Sequence, residues 1–275
     1  MIPAGTPPEE ILRTLAITEP DDIDIEAIAW ECGATILYEP LTGCEANIIG
    51  AGDKAIITVN SKAIPGRKRF SSGHELGHWM KDRGQSAFGC SKNQLYSSWT
   101  GNNPETRANA FASDLLLPLS MFVPLAKNRP ITLETVAYLA GVFKMSRTAA
   151  AMRLVHHGSL PCMLIHYETG RRKWFITSGS EIHRSLFPAE RLQPHSLAAS
   201  LLANSFENEK SGDVRADHWF DRDRADKYYL RESCFKTGSD SVTVILWWED
   251  EQQLIDIEEE EDRRASRRSD YREEY

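Results

Sequence analysis

The chain has 275 residues, of which 41% are hydrophobic, and a formal net charge of −8 at pH 7. This length and composition allow a substantial buried core and predict more than one domain. No stretch approaches the roughly 18 apolar residues of a membrane span, and the first residues lack the pattern of a secretory signal. The five cysteines form no C-x-x-C pair, which favours free thiols. We therefore expect a cytoplasmic protein without membrane association.

The N-terminal part predicts two short helices followed by two strands. Apolar residues recur at helical spacing within residues 9–33, and Gly33 is typical of a helix end. The stretches ATILYEPL and KAIITVNS have the composition of strands, and GAGD before the second predicts a turn.

The next stretch, RFSSGHELGHWMKD at residues 69–82, predicts a helix. Either of the two serines before the first histidine, Ser71 or Ser72, is expected to cap its start. The apolar Leu76 and Trp79 give this helix a side that can be buried.

This helix carries His74, Glu75 and His78. Positions i and i+4 lie about 40° apart around a helix, so the two imidazoles point at one spot. A zinc ion held by both would keep a water molecule within reach of the Glu75 carboxylate, as metal-assisted hydrolysis requires. The alternative is that these are polar residues sharing a helix, since the three-residue pattern arises by chance too often to decide the matter alone.

A catalytic zinc site usually has three protein ligands, and the third is expected from PETRANAFASDLLLP. This stretch predicts a helix that begins at Pro104 and ends before Pro118. Glu105 is the candidate ligand. One stripe of this helix, whose alanines allow a close approach to the histidine-bearing helix, contains Glu105, Ala108, Asn109, Ala112 and Leu116.

These elements together resemble the ImmA/IrrE family of bacterial metallo-endopeptidases. The matching stretches are, in order, IDIEAIAWECGATILYEPL, AIITVNS, RFSSGHELGHW and ETRANAFASDLLLP, which lie between about residues 23 and 118. One departure is the Ser72-Gly73 pair, where the family more often has a Leu-Ala type pair. It lowers local helix propensity but involves no ligand.

The resemblance implies a mechanism and site residues. In the family, the two histidines and the glutamate of an E-x-x-A-N segment bind zinc, and the glutamate between the histidines is the general base. Carried over, Zn²⁺ is held by His74, His78 and Glu105, and Glu75 is the catalytic base. The same ligands also suit non-haem iron. An extended substrate could pair with the free edge of the AIITVNS strand, or that strand could be an ordinary sheet edge.

The resemblance also implies a function in transcription regulation and stress response. The expected activity is cleavage of one regulatory protein, a helix-turn-helix repressor or an antitoxin encoded nearby. Two alternatives remain open. One is a non-proteolytic binding module with a structural or vestigial metal site, and the other is a protease that needs an activating signal through its C-terminal part.

Residues 81–103 predict a long loop with interspersed aromatic residues. It could be a lid, or Tyr96 could stabilise an oxyanion, but a surface loop held by its aromatics is favoured. Cys90, in the same loop, could block the metal as a thiolate, which is the weaker hypothesis.

Residues 131–157 predict a helix, a turn near Gly141 and a second helix capped by Ser146, similar to a helix-turn-helix. The second helix has few basic residues, so direct DNA binding is not expected and a structural helix pair is favoured. His156 and His157 at its end could visit the active site or simply complement the helix dipole.

From residue 160 the apolar residues alternate, which predicts two hairpins that turn at Thr169-Gly170 and at residues 238–240. Between them, SLAASLLANSF predicts a helix and NEKSGDVRADHW a polar connection. The tryptophans of this part, Trp174, Trp219, Trp247 and Trp248, could line a pocket but are more typical of a core.

The predicted fold class is α+β: a mainly helical zincin-like core with a small sheet, a helix-turn-helix-like segment, and a C-terminal α+β, sensor-like domain. The predicted division is 1–125 for the peptidase domain, 126–158 for the helical segment, 159–248 for the C-terminal domain and 249–275 for a charged tail. The tail has 12 acidic and 5 basic residues and thus almost all of the net charge. It is expected to be solvated, or alternatively to act as an interaction tail.

Overall fold

The computed structural model has an α+β fold, as predicted, with a separate sheet in each of two compact units. The first unit contains Met1–Ala126 and Ala137–Ala150, and the second contains Lys127–Val136 and Ala151–Tyr275. The finer four-part division stays a prediction. The structure describes residues 1–81, 88–90, 103–158, 160–178, 182, 186–204, 206–220, 225–250, 252–256 and 259.

The helices of the N-terminal part are short except for the two that matter for the candidate site. Asp24 caps the second helix, because its Oδ1 accepts hydrogen bonds from the backbone N–H groups of Glu26 and Ala27. The helices are α1 (Pro8–Thr14), α2 (Ile25–Glu31), α3 (Pro65–Lys81), α4 (Pro104–Leu116) and α5 (Leu119–Ala126).

The sheet of the first unit has the strand order β1-β3-β2-β4. Strand β1 pairs parallel with β3, whereas β2 pairs antiparallel with both β3 and β4. Strands β1 and β3 confirm the two predicted strands, but β2 was not predicted, and its last two residues overlap the expected GAGD turn. The bounds are β1 (Ala34–Glu39), β2 (Ala46–Ala51), β3 (Lys54–Asn60) and β4 (Phe88–Cys90).

Helix α3 begins earlier than predicted. It starts at Pro65, so Ser71 and Ser72 lie in its interior, where both are buried, and the predicted serine cap is wrong. Proline suits the first helical position because its fixed φ angle is helical and the N–H it lacks would have no partner there. The histidines therefore lie in the second half of a 17-residue helix.

The same helix packs on the sheet. The indole Nε1 of Trp79 donates a hydrogen bond to the carbonyl of Cys32 at 2.9 Å. A Cβ atom at Gly50 in β2 would lie 2.5 Å from the Trp79 ring, so this strand position has no room for a side chain. These contacts hold the end of α3 against the buried face of the sheet.

The two helices predicted within residues 131–157 are present as α6 (Leu133–Val142) and α7 (Arg147–His157). The hydroxyl of Ser146 accepts a hydrogen bond from the backbone N–H of Ala149 at 3.1 Å, as expected of a cap. Gly141 lies inside α6, and the left-handed residue of the turn is Lys144, with φ of 54°.

The sheet of the second unit is antiparallel throughout, with the order β6-β5-β9-β8-β7. Both predicted hairpins are confirmed, and Thr169 and Gly170 have the positive φ angles of a tight two-residue turn. The predicted helix is also present, with Ser196 as its cap. The bounds are β5 (Cys162–Glu168), β6 (Arg171–Thr177), α8 (Leu197–Ala203), β8 (Tyr229–Gly238) and β9 (Ser241–Trp247).

The stretch NEKSGDVRADHW was predicted as a polar connection, and this prediction is wrong. It contains strand β7 (Glu209–Arg215), which pairs with β8 along its whole length. Strand β7 lies at the edge of the sheet, where most of its side chains are partly or fully exposed, so its sequence lacks the alternation of apolar residues that marks a half-buried strand.

The core of the second unit includes most of the predicted tryptophans. Trp219, Trp247 and Trp248 are buried, as expected of core residues, whereas Trp174 is only partly buried and stacks on His166 with ring centroids 5.2 Å apart. The core interpretation is therefore confirmed for three of the four.

The same core encloses a fully buried carboxylate, that of Glu232 in β8. It accepts hydrogen bonds from the backbone N–H of Ala198 at 2.7 Å and from the indole Nε1 of Trp219 at 2.9 Å. Burial raises the pKa of Glu232 above its ordinary value, because the charged form loses its hydration.

This raised pKa predicts a pH dependence of stability. Since the folded pKa of Glu232 lies above the unfolded one, its contribution is full below the ordinary pKa and is lost as the pH rises through the raised pKa. We expect the free energy of unfolding to fall over that range in the wild type but not in Glu232→Gln. Urea unfolding at a series of pH values measures this, with the exposed Glu209→Gln as control. Parallel pH profiles for wild type and Glu232→Gln would contradict it.

Several predicted features lie outside the described residues. They are the loop around Tyr96 and Trp99, the side chain of Cys90 and most of the charged tail. Within the described part, Cys32, Cys44, Cys162 and Cys234 are free thiols. No single described helix is long and apolar enough to cross a membrane. Helices α4 and α5 pass that test only as a pair bent by 63°.

Candidate metal centre

Two neighbouring helices bring three predicted ligands together. Helix α3 positions His74 and His78 one turn apart, and α4 positions Glu105 in its first turn. The start of α4 is set by Asn103, whose side-chain oxygen accepts a hydrogen bond from the backbone N–H of Thr106 at 2.8 Å. This cap fixes the start of α4, where Glu105 lies.

The three side chains meet at short distances. The Nε2 atoms of His74 and His78 are 3.2 Å apart. The two carboxylate oxygens of Glu105 lie 3.3 Å from His74 Nε2 and 3.5 Å from His78 Nε2. Zinc binds nitrogen and oxygen ligands at about 2.0–2.2 Å, so neighbouring ligands of a tetrahedral ion are about 3.3 Å apart. The donor atoms therefore fit a zinc ion held through both Nε2 atoms and the carboxylate.

The electrostatics of the cluster favour a bound cation. Burial lowers the pKa of His74, which keeps its imidazole neutral. Hydrogen bonds with His74, which has the larger effect, and with His78 lower the pKa of Glu105, which keeps its carboxylate charged. Neutral imidazole and ionised carboxylate are the forms that bind metals. A proton or a cation between the three groups relieves the repulsion of their lone pairs.

Two glycines of α3 allow α4 to come this close. A Cβ atom at Gly77 would lie 2.9 Å from the Cα and 3.0 Å from the carbonyl oxygen of Ala108. A Cβ atom at Gly73 would lie 3.0 Å from the Leu116 side chain and 3.3 Å from that of Ala112. The spacing between the helices, and with it the distance of Glu105 from the histidines, thus depends on glycine. The Gly73 that departs from the family pattern lies at this contact.

Asn109 is the site residue whose role the sequence analysis missed. Its Oδ1 lies 2.9 Å from Nδ1 of His74, and both side chains are buried. The sequence analysis placed Asn109 only on the packing stripe of α4. Its position four residues after Glu105 could have indicated more, because residues i and i+4 share a helix face.

Glu75 is fully buried in the same stretch of α3. At 100° per residue, its side chain leaves the helix about 60° from that of His78 and about 100° from that of His74. It therefore lies beside the ligand face rather than within it. A carboxylate in that position is suited to a proton-transfer role more than to a fourth ligand.

Comparison with family models gives a match to a peptidase family over the region that contains these helices. Residues 31–155 match the model of the M78 peptidase family, described as the IrrE N-terminal-like domain. This match confirms the resemblance seen in the sequence, and the matched region includes α3, α4 and the whole candidate centre.

One solved structure similar to most of the chain is a Mycobacterium tuberculosis transcriptional regulator. The TM-score is 0.58 and the sequence identity 14%, and the match covers 87% of this chain and 76% of the regulator. At this identity the likeness concerns the fold alone. No curated protein has a significant sequence match to the chain.

Proposed function

We propose that the protein is a zinc-dependent endopeptidase that cleaves a regulatory protein. The observation that carries this proposal is the convergence of three donor atoms of His74, His78 and Glu105 at separations of 3.2–3.5 Å. These separations suit a small cation with bonds of about 2 Å. The match of residues 31–155 to a peptidase family supports hydrolysis of a peptide bond as the reaction.

The chain's residues fit a catalytic site better than a structural one. A structural zinc site usually has four protein ligands, often cysteines, whereas a catalytic site has three and keeps one position open. Among the described residues, His74, His78 and Glu105 are the one group of three that could hold a metal. When bound there, zinc would supply a Lewis acid and a water molecule of lowered pKa.

Glu75 provides the proton transfer that peptide hydrolysis needs. In this proposal its carboxylate takes a proton from the attacking water as the water oxygen bonds to the peptide carbonyl carbon. It then gives that proton to the amide nitrogen as the C–N bond breaks, so that a carboxylic acid and an amine are formed. Burial keeps bulk water from competing for this proton.

The proposed substrate is a helix-turn-helix repressor or an antitoxin encoded near the gene of this protein. This choice follows from the resemblance of the sequence to the ImmA/IrrE family. One of the solved structures similar to this chain is described as a transcriptional regulator, which agrees with a regulatory role but concerns that other protein.

The first test is metal binding. We expect purified protein to bind about one zinc ion per chain, as the ligand set implies. His78→Ala should lower zinc affinity by more than about 100-fold, the upper range for loss of a residue that only orients a ligand. The control is His195→Ala, since His195 is exposed in the second unit. Equal zinc affinity in wild type and His78→Ala would contradict the proposed ligand set.

The second test is cleavage of the repressor encoded beside the gene. We expect fragments with the zinc-loaded protein, none after chelation, and fragments again when zinc is restored. Stoichiometric binding of the repressor without fragments would support the non-proteolytic binding module instead.

A further inference from the structure

We propose that Asn109 is a positioning residue that holds the His74 imidazole with Nε2 unprotonated and directed at the metal. This inference rests on the proposed function, since it concerns the same zinc ion. Asn109 does not take part in the proposed proton transfer and is not one of the proposed ligands. Its contact with His74 Nδ1 connects it to the site from behind the imidazole ring.

The geometry ties both ends of one imidazole to α4. His74 Nδ1 lies 2.9 Å from Asn109 Oδ1, while His74 Nε2 lies 3.3 Å from Glu105 Oε2. Glu105 and Asn109 are one helical turn apart, so they share a face of α4. The ring of His74 is therefore fixed by two contacts from one rigid element.

The hydrogen bond selects a tautomer. A neutral imidazole has one N–H, and an amide oxygen can only accept, so the bond to Asn109 Oδ1 requires the proton on Nδ1. Nε2 then has its lone pair available for a metal. With the amide in the reverse orientation, its NH₂ group would donate to Nδ1, the proton would lie on Nε2, and metal binding would be opposed.

The burial and hydrogen bonding of the Asn109 side chain point to its contact with His74 as its role. Its side chain is 1% exposed. In the part of the chain that the structure describes, its Nδ2 has no hydrogen-bond partner, and Oδ1 bonds to His74. A buried amide group with an unmet donor is unfavourable for stability alone. The hydrogen bond to His74 gives Asn109 a role that stability alone does not explain.

An amide also orients the histidine without adding charge. With Glu105 as the one ionised ligand, a zinc ion would keep a net positive charge to polarise a substrate carbonyl. A carboxylate behind His74 would hold the same tautomer but increase the negative charge around the metal. Compared with an aspartate at this position, Asn109 would leave the metal a stronger Lewis acid, although zinc would bind less tightly.

The test measures zinc affinity by competition with a chromophoric chelator. We expect Asn109→Leu, which removes the acceptor at similar volume, to weaken zinc binding about 10- to 100-fold, the range for loss of a residue behind a ligand. Asn109→Asp keeps an acceptor and should bind zinc at least as tightly as wild type. The matched control is Asn47→Leu, the same substitution in β2, on the sheet face opposite buried Ile48.

A second readout follows the tautomer itself. Two-bond ¹H–¹⁵N correlation spectra of the metal-free protein distinguish a proton on Nδ1 from one on Nε2. We expect His74, identified by the signal lost in His74→Ala, to be the Nδ1–H tautomer in wild type and Asn109→Asp. In Asn109→Leu the two tautomers should interconvert. Thermal unfolding and circular dichroism of each variant separate this effect from loss of the fold. If Asn109→Leu does not fold, Asn109→Ala and the wild-type spectrum carry the test.

Two outcomes would overturn the inference. One is zinc affinity of Asn109→Leu equal to or tighter than that of wild type, as the reverse amide orientation predicts. The other is the Nε2–H tautomer of His74 in the wild-type protein. Neither outcome contradicts the endopeptidase proposal, which is tested by cleavage of the repressor with the zinc-loaded wild-type protein. A wild-type protein that binds no zinc would overturn both.

Discussion

Glu75→Gln should bind zinc as tightly as the wild-type protein and yet cleave its substrate about 10²- to 10⁴-fold more slowly, the usual contribution of a general base. The amide has nearly the shape of the carboxylate but cannot accept a proton from water. Because Glu75 is not one of the three converging ligands, the metal should stay bound. The reduction should therefore be in kcat, with little change in KM.

The measurement is a time course of repressor cleavage with metal content determined on the same samples. Glu9→Gln, an exposed glutamate in α1, is the matched control and should cleave at the wild-type rate. If zinc-loaded Glu75→Gln cleaved as fast as wild type, the general base would have to be another group.

Gly77→Ala should destabilise the first unit and weaken its zinc site together. The new Cβ atom would meet the backbone of Ala108 at 2.9–3.0 Å, and backbone atoms cannot rotate away. Helix α4 must then move from α3, at a cost of about 1–3 kcal/mol in free energy of unfolding. Because Glu105 moves with α4 while the histidines stay on α3, the three donor atoms separate and zinc affinity falls.

Thermal unfolding with and without zinc measures both effects. Gly141→Ala is the control, since it is the same substitution inside helix α6 at a position with no atom within 4 Å of the new Cβ. It should raise stability by about 0.4–1 kcal/mol, because alanine restricts the unfolded chain. If Gly77→Ala had the stability and zinc affinity of the wild type, the prediction would be wrong, because the helices would then accommodate the new Cβ without moving apart.

The helices of the site were predictable from the sequence because their determinants are local. The spacing of His74 and His78 is set by helix geometry, and Pro104 begins the helix that carries Glu105, as predicted. What local patterns could not provide was the distance between the two helices. It depends on Gly77 facing Ala108, a contact between residues far apart in the sequence.

The wrong predictions concern stretches whose local sequence is compatible with two structures. Ser71 and Ser72 are residue types that favour a helix cap, but α3 begins earlier, at Pro65. Both serines are buried inside the helix, where tertiary packing outweighs their preference for a cap. Strand β7 was not predicted because an exposed edge strand needs no alternation of apolar residues. Its strand structure comes from backbone pairing with β8.

The role of Asn109 shows a further limit. An asparagine on a helical stripe looks like a packing residue, and only the position of His74 Nδ1 reveals a hydrogen bond across the two helices. A residue that acts through another residue carries no chemical signature of its own in the sequence.

The ligands of the candidate centre come from two helices separated by residues 82–103. A zinc ion bound to His74, His78 and Glu105 would therefore connect α3 and α4 as well as act as a catalyst, and it would stabilise the folded state because the unfolded chain does not bring the three ligands together. At free zinc about 100 times its Kd, binding adds about 2.7 kcal/mol to the free energy of unfolding. Zinc depletion would then remove the activity and shorten the lifetime of the folded protein at the same time.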